Sequence, residues 1–286
     1  MFVIIGWAVA LVGVFGGFAM AGGHLAALFQ PLELVMIGGG AFGAFIAANN
    51  AHGMKHTLGG IASCFKGSKY TKAFYMELIG LLFELLAKAR KEGLMSLEGD
   101  VEEPDKSAIF SKYPNILANH HLVDFITDYM RMMVGGNLNA MEIDNLMDAE
   151  IETHHHEEMH ASHAVSKLAD GMPAFGIVAA VMGVVHTMES LHLPPSELGI
   201  LIAHALVGTF LGILLSYGFV APLATVLEGK AAESTKVYQT VKVILLSSLN
   251  GFAPQTCAEF GRKVLFSTER PSFRELEEDI KARKGK

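Results

Sequence analysis

Three groups of residues in this 286-residue chain have types and spacings that bear on chemistry. The first is a histidine tract, His154, His155, His156, His160 and His163, with Glu157 and Glu158 among them. On a helix His156 and His160 share a face, as do His160 and His163, a geometry that suits zinc or nickel. Such tracts are compositional signals. No open coordination position or set of groups to orient the imidazoles accompanies this one. The preferred reading is therefore a solvated polar helix beside a membrane, with no metal site assigned. The second group is Thr187, Thr209, Ser216, His186 and His204, hydroxyls and imidazoles within otherwise uncharged segments. Hydroxyls in such helices usually bond backbone carbonyls, the reading taken for Ser216. The third is a pair of prolines, Pro173 and Pro222. Proline removes a helical hydrogen bond and can kink the chain, so the pair is either helix-end punctuation or a hinge. No catalytic triad, nucleotide loop or cofactor motif is present, and neither an enzyme nor a cofactor is expected.

The elements that hold these residues follow from where charge is missing. Hydrophobic residues make up 51% of the chain and charged ones 18%, well under the roughly 25% of a soluble domain. All 22 Lys and Arg fall between Lys55 and Lys167 or between Lys230 and Lys286. A soluble enzyme spreads its cations over its surface, and a nucleic-acid binder needs a basic patch; neither class fits. The charge-free runs have the length of about 20 helical residues that a bilayer requires. Four spans are predicted, at Phe2–Met20, Leu34–Ala48, Ala169–Met188 and Leu198–Pro222, with Pro222 closing the last. No Asp, Glu, Lys or Arg falls at the depth of any of them. A proton or ion path normally needs an ionisable group, so a partner would supply the carboxylate and this chain the walls. Because the connections at 21–33 and 189–197 hold no cation, both termini are placed in the cytoplasm. Cys64 and Cys257 then read as ordinary reduced thiols.

The segment between spans two and three is predicted to be helical. Residues 71–92 put Phe74, Leu78, Leu81, Leu82, Leu85, Leu86 and Ala89 on one face, with Gly93 as the stop. Residues 115–134 repeat the pattern with Leu122, Phe125, Ile126, Tyr129 and Met133. An acidic loop, 98–105, joins them. Residues 137–167 are compatible with one helix running into the third span. Ser272 and Glu275 have capping-box spacing before a terminal helix. Small residues four apart, Gly13 with Gly17, Gly39 with Gly43 and Gly208 with Gly212, allow close helix approach, within this chain or between subunits. The fold class is therefore an all-α integral membrane protein with four transmembrane helices, a helical cytoplasmic domain between spans two and three, and a cytoplasmic C-terminal tail. Its segments are 1–50, 51–168, 169–222 and 223–286.

Specific motifs sharpen this outline. The run Ala205 to Leu214, with Gly208-Thr209 and Gly212 inside it and Pro222 eight positions on, resembles the signature of the MotA flagellar stator family. Pro173 to Gly183 is similar to that family's third span. Asn250-Gly251, Glu259 to Arg262 and Glu269 to Phe273 resemble its post-membrane segment. The resemblance implies a homo-oligomeric ring in the bacterial inner membrane around a dimer of MotB, whose single membrane helix bears the ion-carrying aspartate. It implies that Arg90 and Glu98, and less specifically Glu150, engage the rotor protein FliG. It further implies that Pro173 and Pro222 couple ion passage to conformational change and that the Thr209 hydroxyl lines the ion path. Ala180 stands where sodium-driven relatives tend to carry threonine; alanine offers a cation no oxygen, which favours protons. The histidine tract departs from the family pattern and takes no function from it. Two other readings are a TolQ/ExbB-type energising subunit, which typically has three spans and no such tail, and a non-conducting scaffold or metal-handling protein built on the histidines.

Overall fold

A computed structural model describes residues 2–136 and 139–284, and every regular element among the described residues is helical. Met1, Asn137, Leu138, Gly285 and Lys286, which bound several expected segments, lie outside the described residues. Among the described residues, four helical stretches are long and apolar enough to cross a membrane: Phe2–Met20, Leu25–Ala48, Ala140–Glu189 and Pro195–Leu249. The first span matches the expected limits. The second starts earlier than Leu34: a short helix at Leu25–Leu28 leads into Pro31–Ala48, with Pro31 in its first turn, where a missing N–H costs nothing. Glu33 thereby falls inside this helical stretch, whereas the expected spans held no charged residue. The third span is the end of a 50-residue helix that includes the whole histidine tract, as the proline-free segment before it suggested. The helix of the fourth span does not end at Pro222. Helix Pro195–Ile213 passes through a π-helical turn, Leu214–Val220, into Ala221–Leu249. The wider i→i+5 turn accommodates a residue that cannot donate.

The chain divides into two compact units, Met1–Gly67 with Glu157–Lys230 and Ser68–His156 with Ala231–Lys286. In the first, two small cores hold the helices together. One gathers Cys64, Ala161, Val165, Leu223, Ala224 and Leu227, the other Ile37, Ala179, Val207 and Leu211. Much of its remaining surface is apolar, with Val9, Val12, Val35, Val178, Val181 and Leu206 all exposed. Water does not tolerate such a surface; lipid or a neighbouring subunit does.

The second unit has a conventional core. Helix Lys72–Glu92 is capped by the Thr71 hydroxyl, which accepts from the Phe74 N–H, and ends at Gly93 with φ of 88°. All seven residues of its expected face are buried, joined by Tyr75, Ile79 and Phe83 because neighbours cover it on more than one side. The expected 115–134 helix is two, Pro114–Leu117 and His120–Gly135, ending at Gly136 in the left-handed region. The acidic segment is helical rather than a loop, with Glu98–Glu102 followed by a turn at Pro104–Lys106. Its carboxylates favour a helix start, and Asp100 is held by Lys88 at 2.7 Å and by the Ser107 hydroxyl at 2.5 Å. The tail helix Phe273–Lys284 opens on the predicted capping box. Ser272 N–H donates to Glu275 at 2.6 Å, and Glu275 N–H to Ser272 Oγ at 3.2 Å.

Candidate functional site

Spans three and four meet through glycine. A Cβ at Gly176 would lie 2.8 Å from the Gly208 carbonyl oxygen and 3.2 Å from the Gly212 Cα. One at Gly183 would lie 2.7 Å from the Ala205 methyl group. The Gly208 and Gly212 pair is therefore spent on packing inside this chain. At Gly13, Gly17, Gly39 and Gly43 no other part of the chain among the described residues comes within 4 Å of such a position, and these remain open faces. Ala179 is fully buried, its methyl group 3.2 Å from the Cβ position of Gly208. That contact sets the next residue on each helix, Ala180 and Thr209, at one level of the bundle. Both are half-buried. Thr187 donates to the Gly183 carbonyl at 2.9 Å. Ser216 does not follow it: its buried Oγ has no partner among the described residues. It falls within the π-helical turn, where the regular i−4 carbonyl geometry is lost.

Glu33 joins this level. It is 8% exposed, and a Cβ at Gly208 would come within 2.6 Å of its Oε2. One signal in the sequence points to it: Glu33 alone separates two charge-free runs that otherwise join into one.

The prolines have different surroundings. Pro173 is inside the third-span helix, with its Cα 3.3 Å from the Cβ position of Gly212. Pro222 follows the π-helical turn, and the Trp7 indole N–H donates to the Phe219 carbonyl of that turn at 3.2 Å. Trp7 also packs edge-on to Phe65 with centroids 5.6 Å apart. A carbonyl in a loosened turn needs such a donor, because unsatisfied backbone in an apolar setting is costly.

In the second unit Arg90 and Glu98 are both exposed, and no ion pair joins them among the described residues. Arg90 Nη1 donates to the carbonyls of Gly251 and Phe252, at 3.4 and 3.2 Å. It borders a cavity of about 220 Å³ lined also by Leu86, Leu94, Met133 and Leu249. Glu98 starts its short helix. Glu150 is exposed but tethered, accepting the Tyr129 hydroxyl at 2.7 Å. Burial, then the bond to Glu150, pushes the Tyr129 phenol above its ordinary range.

The histidine tract is only partly solvated. His154 is half-buried, 3.0 Å from Ser234 Oγ and against the Tyr238 ring, and His155 is 2.9 Å from Thr235 Oγ1. His156, His160 and His163 are exposed. Among the described residues no three His, Cys, Asp or Glu side chains converge as a metal site.

Residues 4–93 match the model of the motility protein A N-terminal region, and residues 118–240 that of the MotA/TolQ/ExbB proton channel family. Motility protein A of Salmonella typhimurium is 56% identical over 282 residues, 99% of this chain and 96% of the relative. That of Escherichia coli is 55% identical over 285 residues, 100% and 97% of the two chains. Among solved structures, a chain of the flagellar MotAB stator complex from Bacillus subtilis is 26% identical, with a TM-score of 0.73 over 96% of this chain and 97% of that one.

Proposed function

Since the chain belongs to the motility protein A branch of the MotA/TolQ/ExbB proton channel family, we propose that it is the wall subunit of a flagellar stator. It assembles as a ring around MotB in the bacterial inner membrane, with both termini in the cytoplasm, and turns proton passage into torque on the rotor protein FliG. The observation that carries this reading is the end-to-end identity of 56% to a motility protein A, and the packing gives it physical content.

At the level of Thr209, the third and fourth spans meet backbone to backbone, so one helix cannot shift without the other. Thr209 offers its hydroxyl to the ion path and Ala180 offers none, which favours a proton over a cation that must replace its water. Protonation of the partner's carboxyl changes charge beside this wall. One charge crossing about 100 mV releases about 2.3 kcal/mol, enough to bias a bistable packing. Pro173, held against Gly212, and Pro222, beyond its π-helical turn, are the points where the helices give. Arg90 and Glu98, exposed in the other unit, and Glu150 beside Tyr129 present charge to the rotor, where complementary charge sets register.

Exchange of the two charges, Arg90→Glu with Glu98→Lys, tests the rotor contact. Motility and recruitment of the complex to the motor are expected to fall and to be restored by charge-reversed rotor protein. Unchanged motility would remove these residues from the contact.

A further inference from the structure

The membrane unit buries a carboxyl to which the family resemblance gives no task. Glu33 stands in the first turn of helix Pro31–Ala48. Its Oε2 is closed to solvent and has no hydrogen-bond partner among the described residues. Because a methyl group at Gly208 would come within 2.6 Å of that oxygen, the missing side chain at Gly208 is what makes room for it. Helix geometry gives the depth. Gly208 lies ten residues beyond Leu198, where the fourth charge-free run begins. At 1.5 Å per residue that is about 15 Å, half of a hydrocarbon core of about 30 Å.

The N-terminal turn of its own helix favours the charged form. An ionisable group without a counter-charge at such depth is still costly to keep, and the elements packed around it supply no charged partner. Helix Pro195–Ile213 carries Glu197, exposed in its first turn, and His204, half-buried one turn before Gly208. The stretch Pro173–Gly183 of the third span has no titratable side chain, and neither has Leu25–Leu28, which follows the exposed His24. A residue kept there only for packing would serve better without a charge, whereas intramembrane carboxyls mark proton and ion paths. Glu33 also shares its level with Thr209 and Ala180 through the Ala179–Gly208 contact.

We propose that Glu33 is a proton-carrying carboxyl of this chain's own, standing in the conduction path in series with the carboxyl that the partner subunit brings. The proposal rests on the proton-channel reading above. In each cycle the Glu33 carboxylate takes one proton from the inlet side, becoming a neutral acid, and gives it up to the partner's carboxylate, returning to its charged form. Only O–H bonds form and break.

The test uses the complex of the full chain with its MotB partner in liposomes, with proton uptake under an imposed potential read by an entrapped pH dye. Glu33→Gln keeps the shape but cannot carry a proton; it is expected to assemble and to lower proton flux roughly a hundredfold, the scale of a lost proton-transfer group. Glu33→Asp is expected to keep a measurable fraction. Wild-type flux through assembled Glu33→Gln overturns the proposal, whereas a wild-type complex that passes no protons overturns the channel reading beneath it. Where Glu33→Gln fails to assemble, infrared difference spectra of the wild-type and Glu33→Asp complexes decide. A carboxyl stretch that responds to the proton gradient and shifts in Glu33→Asp supports the proposal, and its absence overturns it.

Discussion

Gly212 has no room for even a methyl group. A Cβ there would lie 2.7 Å from the Met172 carbonyl oxygen and 3.0 Å from the Gly176 Cα, and backbone atoms cannot swing aside. Gly212→Ala is therefore expected to force spans three and four apart at a cost of about 1–3 kcal/mol, read as a lower melting temperature of the purified complex. At Gly13 and Gly39 a Cβ meets no other part of the chain among the described residues, so any fall in that temperature caused by Gly13→Ala or Gly39→Ala measures contact between subunits. A second residue-scale prediction concerns the tail. The Lys72 ammonium, then the Ser272 N–H and hydroxyl, hold the Glu275 carboxyl down to about 2 from an ordinary 4.5. A carboxyl depressed in the folded state contributes stability above its ordinary value and loses it as pH falls through the folded one. Hydrogen-exchange protection of helix Phe273–Lys284 should weaken as pH falls from 4.5 toward about 2. In Glu275→Gln that dependence should be smaller, the rest coming from carboxylates such as Glu277, paired with Lys281, and protection should be lower at neutral pH.

At the scale of elements, the proposed joint of the fourth span is the π-helical turn before Pro222. It lets one helix run past a proline, with Trp7 satisfying the Phe219 carbonyl. Trp7→Phe keeps a ring against Phe65 and removes the donor. It is expected to cost about 1 kcal/mol and to reduce torque per assembled complex, measured as the speed of tethered cells against stator number. Equal torque at equal stator number would mean that the turn is no joint. Elements were legible in the sequence where one signal dominated. The apolar runs gave the spans, Thr71 and Gly93 bounded their helix, and Ser272 with Glu275 marked the start of the tail helix. They were not legible where a residue's habit competes with its surroundings. Pro222 reads as a terminator because a single sequence cannot show the π-helical turn that absorbs it. The carboxylates at 98–103 read as a solvated loop, although they favour a helix start. Glu33, although it interrupts a charge-free run, reads as the end of a loop, because only packing against Gly208 reveals its burial. The rotor-contact roles proposed for Arg90 and Glu98 rest on family resemblance alone; two exposed charges carry no spacing signal of their own.

For the whole molecule, an apolar unit and a polar unit share one chain, and the charge distribution that separates them was visible from the start. Two helices, Ala140–Glu189 and Pro195–Leu249, contribute residues to both, and under the proposed function they are the covalent route from a proton event in the membrane to the charges proposed to meet the rotor. The coupling ion is the central property of the proposed function. Cells lacking their own motility protein A, and expressing this chain with its MotB partner, should swim. The decisive measurement is the rotation speed of such cells as the proton gradient is collapsed by an uncoupler and sodium is removed in turn. Rotation is expected to stop with the proton gradient and to be indifferent to sodium. Rotation that survives the uncoupler and requires sodium would contradict the account.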